Sequence, residues 1–167
     1  MKKSVVTKIL AVLIIATSLI SCSSSTESVD EPTTSNFPVS SYTQSTFELE
    51  LLDLVNEYRV SKGLNALSII EQISFVSSGH TDYMISTQEI SHANFETRKE
   101  NLHATVGALN VGENVAFGYS SAQATLNAWI ASESHRLNME SNYTHFGLSV
   151  KQDAQGKKYY TMMFIRK

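Results

Sequence analysis

Val111-Gly112-Glu113-Asn114-Val115-Ala116-Phe117-Gly118 is the stretch that decides the fold, because large and small residues alternate along it. An alternation of period two is what an extended strand shows, with successive side chains on opposite faces. Val111, Glu113, Val115 and Phe117 then share one side of a sheet, so a carboxylate sits among apolar neighbours. Burying such a group bare costs several kcal/mol or raises its pKa, so Glu113 needs a partner.

Downstream, Ser120 and Gln123 have the spacing of a helix cap, and Leu126, Trp129 and Ile130 carry a helix on to about Ser132. Phe146, Leu148 and Val150 alternate, Asp153 to Gly156 supplies turn residues, and Tyr159 to Ile165 returns as an antiparallel partner. Upstream, Leu51, Leu52, Val55 and Tyr58 recur at helical spacing within Thr46 to Lys62, and Gly63 can close that helix. The Ser68 and Glu71 pair predicts the cap of a second helix, with Ile73, Val76, His80 and Tyr83 or Met84 on its apolar stripe. His80 therefore points inward. Phe95 to His103 reads as a short helix or an irregular loop. Helices followed by mixed strands and helix predict an α+β fold in layers.

Lys2, Lys3 and Lys8 precede an apolar run, Ile9 to Ile20, too short to span a bilayer comfortably. Leu19-Ile20-Ser21-Cys22 resembles a bacterial lipobox, which implies cleavage before Cys22 and a lipid on it. The expected organisation is a lipoprotein signal peptide over 1–21, a disordered Ser/Thr-rich tether over 22–45 and one domain over 46–167. That places the chain as an exported bacterial lipoprotein of the cell envelope or surface, its partner the membrane through Cys22. Cys22 is the chain's single cysteine, so no internal disulfide forms and cysteine-nucleophile chemistry is excluded. Both prolines lie in the tether, and the mildly acidic domain beyond it has no basic cluster to hold nucleic acid.

His80, His92, Glu113 and His135 are the candidate site residues. Imidazoles with one carboxylate bind divalent cations or move protons. No His-x-x-x-His or His-Glu-x-x-His pair is present, so any ligands come from separate elements. Structural roles compete: His92 can cap a turn, His135 the end of the Trp129 helix, and His80 can be a satisfied core residue. His103 is expected to be solvated, and His145 to lie on the surface or at the sheet rim.

Several segments in order resemble the CAP superfamily (the SCP, or pathogenesis-related-1, family) in its short bacterial form. They are His80-Thr81-Asp82-Tyr83-Met84, Ser91-His92, Gly112-Glu113-Asn114-Val115-Ala116-Phe117-Gly118, Trp129-Ile130-Ala131-Ser132, His135-Arg136-Leu137-Asn138-Met139, Thr144-His145-Phe146-Gly147-Leu148 and Tyr159-Tyr160-Thr161. The likeness spans essentially all of 46–167. It implies a three-layer α-β-α sandwich with a cavity lined by His92, Glu113 and His135, with His80 as an added bacterial histidine. It also implies a divalent cation there, zinc foremost. The family's second cavity glutamate falls on Ser132, with Glu133 adjacent. Two functions follow as expectations: a binding module whose cavity and adjacent groove take a small apolar, lipid or peptide ligand, or a hydrolase using His92 or His135 as general base beside Glu113.

Overall fold

A computed structural model describes residues 37–167; the expected signal peptide, Cys22 and the first part of the expected tether lie outside the described residues. The elements are α1 (Thr46–Ser61), β1 (Ser68–Ile69), α2 (Glu71–Thr87), α3 (Phe95–Val106), β2 (Asn110–Phe117), α4 (Ala122–Ala131), α5 (Glu133–Glu140), β3 (His145–Gln152) and β4 (Lys158–Arg166). One sheet runs in the order β1-β3-β4-β2. β1 pairs parallel with β3, and the other neighbours are antiparallel.

The strands sort their side chains by parity. On one face Tyr160, Met162 and Phe164 of β4, with Phe146 and Leu148 of β3, pack against Leu51, Leu52 and Val55 of α1 and Leu126 and Trp129 of α4. On the other, Met163 and Ile165 meet Ile73 and Val76 of α2 and Leu102 of α3. This is the three-layer α-β-α sandwich. Trp129 is core, and its indole N–H donates to the Val115 carbonyl at 3.1 Å.

Gly147 sets how closely α2 lies on the sheet. A Cβ there would fall 2.4 Å from the Ser74 backbone nitrogen and 2.8 Å from the Ile73 carbonyl carbon. Helix and strand therefore touch backbone to backbone.

Three local expectations are corrected. Ser68 does not cap α2; with Ile69 it forms the edge strand β1, and Ile70 precedes the helix without a side-chain cap bond. Pairing with β3 at Ser68–His145 and Ile69–Phe146 outweighs the capping pattern. The Trp129 helix is capped by Ser121, one residue later than the Ser120 spacing suggests, through a bond from the Ala124 amide. His103 is only partly solvated: it is half-buried, and its Nδ1 meets the Ala108 carbonyl. Residues 37–45, part of the stretch expected as tether, carry bonds to the domain. Ser40 donates to Gln72 at 2.8 Å, Gln72 to Pro38 at 3.0 Å, and the Tyr42 hydroxyl to Glu48 at 2.7 Å.

Candidate functional site

β2 is the sheet's edge, and its register fixes where Glu113 points. Gly118 donates to the Lys158 carbonyl in the ladder with β4, so even-numbered residues of β2 face β4 and odd-numbered ones turn their backbone outward. The outward carbonyl of Glu113 takes a bond from Asn138 of α5 at 2.9 Å, and that of Val115 takes the Trp129 indole. Asn114 donates to the His135 carbonyl at 3.0 Å and accepts from Asn138 at 2.9 Å. Two asparagines thus clasp α5 onto the edge and cover backbone groups that would otherwise be open to pairing.

The Glu113 side chain lies on the α2/α3 side at 5 % exposure. Its partner is Arg98 of α3, a residue the sequence reading left out. Arg98 Nε donates to Oε2 at 2.7 Å and Nη2 to Oε1 at 2.8 Å, a bidentate buried pair. His92 Nδ1 adds a third bond to Oε1 at 2.7 Å. Burial alone would raise this carboxyl, but the His92 and Arg98 bonds and the guanidinium charge outweigh it and hold it below its ordinary range. Arg98 stands in the apolar stripe Phe95, Arg98, Leu102 at steps of three and four, and only Arg98 and Leu102 of α3 are buried. An arginine in that stripe, opposite a carboxylate on an apolar strand face, was the available signal.

His92 lies between α2 and α3, in a loop that begins and ends with residues in the left-handed region, Gln88 (φ 55°) and Asn94 (φ 59°). Two buried side chains grip the loop on either side of it. His80 Nε2 donates to the Ser91 carbonyl at 2.7 Å, and Arg98 Nη1 donates to the Ala93 carbonyl at 2.6 Å. The His92 backbone is thereby fixed while its side chain stays 53 % exposed. With Nδ1–H on a carboxylate, Nε2 is left for a ligand.

His80 is inward, 3 % exposed, stacked on Tyr83, with Nε2 3.9 Å from Glu113 Oε1. Burial pushes its pKa down, against the pull of Glu113. His135 is half-buried and its pKa is lowered, first by burial and then by the nearby His92. The two histidines open into adjacent recesses along the β2 edge. His92 and Glu113 line one of about 270 Å³ with Phe95, Val111 and Asn138. His135 lines another of about 220 Å³ with Ser132, Trp129 and Tyr119. Ser132 is thus the side chain that shares a recess with His135, whereas Glu133 is exposed in the first turn of α5. His103 and His145 belong to neither recess.

The donor set does not suit a divalent cation as placed. Both Glu113 oxygens already accept charge-assisted bonds, a guanidinium sits within 2.8 Å of them, and His80 Nε2 is committed to a carbonyl. Among the described residues no three His, Cys, Asp or Glu side chains gather as a metal-binding group.

Residues 52–164 match the model of the cysteine-rich secretory protein family, CAP. The chain is 34% identical over 128 residues to the Bacillus subtilis "Uncharacterized membrane protein YlbC", covering 74% of this chain and 36% of that one. Among solved structures, it resembles an extracellular protein containing a SCP domain from Bacillus anthracis (33% identity, TM-score 0.63), over 72% of this chain and 40% of that one. An outer surface protein from Borrelia burgdorferi shares the fold at 19% identity (TM-score 0.66), over 77% of this chain and 99% of that chain. The chain spans about a third of YlbC's length. Its three layers and its family match agree, and the chain belongs to the CAP family.

Proposed function

We propose that the protein is an extracytoplasmic binding module, held at the membrane through Cys22, that presents the recesses at His92 and His135 to a small ligand or peptide segment. The single observation that carries this reading is the state of Glu113. Its charge is matched by Arg98, so the site offers a neutral floor, a fixed half-exposed imidazole, and the apolar sides of Phe95 and Val111. Such a surface recognises shape and hydrogen-bonding pattern. The location draws on the relatives, one titled an extracellular protein and one named a membrane protein. Among the described residues no helix is long and apolar enough to cross a membrane.

The His92–Glu113 contact favours one second reading, a hydrolase in which His92 acts as general base. In that reading the nucleophile is water, because among the described residues no serine or threonine hydroxyl bonds to the His92 or His135 ring, and Ser132 Oγ pairs instead with Ser134 Oγ at 3.4 Å. Native mass spectrometry of the unstripped protein tests the binding reading. Co-purifying molecules are expected on wild type and absent from His92→Ala/His135→Ala. If instead a panel of peptides, glycans and esters is turned over, and turnover vanishes in His92→Gln with the melting temperature unchanged, the hydrolase reading replaces it.

A further inference from the structure

Behind the Glu113–Arg98 pair, between α2 and α3, runs a groove of about 380 Å³, larger than the recess at His92. Val76, His80 and Arg98, all buried, line it, with Phe75 and Tyr83 from α2 and Asn101 from α3. Its charges are already paired. Arg98 is held by Glu113, and Asp82 at the rim by Lys151 at 2.6 Å. A charged ligand would find no unpaired buried counter-ion there, and one that drew Arg98 away from Glu113 would strand a buried charge.

Gly79 gives the groove its shape. Glycine inside a helix costs roughly 0.5–1 kcal/mol relative to alanine, so it calls for a reason. The backbone supplies none, since Gly79 is not among the glycines of positive φ. Packing supplies none either: a Cβ there would meet nothing within 4 Å. Gly79 is exposed and lines the groove, so its missing side chain leaves an open notch in the α2 rim. Beside the notch the His80 and Tyr83 rings lie nearly parallel, 13° apart with centroids at 5.8 Å, and Tyr83 is 38% exposed. Flat neighbours favour a flat ligand, because offset stacking adds to burial.

We propose that this groove binds an uncharged planar aromatic group of one or two rings, edged into the notch at Gly79 and stacked beside Tyr83. The inference goes beyond the binding-module reading at the His92 recess, because it places a second ligand site on the far side of Arg98 from His92. The volume lies at the small end of ligand pockets, which suits a group of that size.

The test is calorimetric titration of the full chain with 2-naphthol and with its charged counterpart 2-naphthoate. Gly79→Leu fills the notch without a clash and improves helix propensity, so its melting temperature is expected to hold or rise. Saturable binding of 2-naphthol, weakened about tenfold or more in Gly79→Leu and less than about twofold in His92→Ala, supports the proposal. Equal binding by wild type and Gly79→Leu, tighter binding of 2-naphthoate, or no saturable binding overturns it. Loss in His92→Ala with Gly79→Leu unaffected overturns the groove assignment while leaving the binding module in place at the His92 recess.

Discussion

Replacing Arg98 with methionine keeps the aliphatic stem and removes the charge that Glu113 was folded around. The carboxylate is then left at 5 % exposure with His92 as its remaining hydrogen-bond donor. Removing one partner of a buried pair typically costs about 3–5 kcal/mol. The structure sets a ceiling on this loss, because the orphaned acid can escape by taking a proton. Starting from the ordinary carboxyl value of 4.5, that escape costs about 1.4 kcal/mol per pH unit, hence roughly 4 kcal/mol near pH 7.5 and a little over 1 near pH 5.5. The direction follows from the two proteins. In wild type the Glu113 pKa is lowered, so its contribution is present above the ordinary range and is lost only as pH falls through the folded value. In the variant burial raises it, and stability is lost as pH rises. The gap between wild type and Arg98→Met, from urea unfolding at a series of pH values, is therefore expected to be about 3–4 kcal/mol near pH 7.5 and to narrow toward acid. Adding Glu113→Gln to Arg98→Met should abolish that pH dependence and recover stability. A gap below about 1 kcal/mol, or one that does not change with pH, would show that the pair is not the buried neutral unit described.

Gly147→Ala places a Cβ 2.4 Å from the Ser74 nitrogen and should destabilise by about 1–3 kcal/mol, the range of overpacking; an unchanged thermal melt would contradict the backbone contact of α2 on β3. His80 has its pKa lowered by burial, so below about pH 6.5 the unfolded chain takes up a proton that the folded one refuses, and stability falls with acid. His80→Gln keeps a donor for Ser91 and should make that fall shallower, by up to about 1.4 kcal/mol per pH unit in denaturant melts; an identical slope would mean His80 titrates alike in both states. Zinc titration by calorimetry near pH 7.5 should give weaker binding by wild type than by Arg98→Gln, whose Glu113 is freed beside His92 and His80. Tight stoichiometric zinc on wild type would reverse the assignment of Arg98 as the resident cation.

The layers were legible because each rests on a local period. The alternation of Val111 to Phe117 gave both the strand and the face of Glu113, and the stripe through Ile73, Val76 and His80 gave the inward histidine. What was not legible depends on partners distant in sequence. Ser68 carries a cap pattern, yet its amide bonds to the Thr144 carbonyl, 76 residues away, and that contact makes it a strand. Tyr42 sits in a stretch with the composition of a linker, but its hydroxyl reaches Glu48 and Ser149, so a single aromatic ties the end of that stretch to the sheet. Arg98 lay in a segment whose apolar pattern was too sparse to separate helix from loop. Its meaning comes from Glu113, which no local window contains.

That arginine also changes what a histidine–glutamate pair can do. A carboxylate beside an imidazole aids proton transfer by stabilising the imidazolium as it forms. At this site two of the three bonds to the carboxylate come from a guanidinium, so its charge is shared before His92 can use it. What the remaining bond to His92 does is orient: with the Ser91 and Ala93 carbonyls gripped from below, the ring has few positions left to choose among. A side chain ordered before its ligand arrives lowers the entropy cost of binding. Under the proposed binding function, the His80 and Arg98 grips on the loop serve recognition. Breaking either should cost ligand affinity by loosening His92, even though neither residue reaches the recess in which His92 and Glu113 meet.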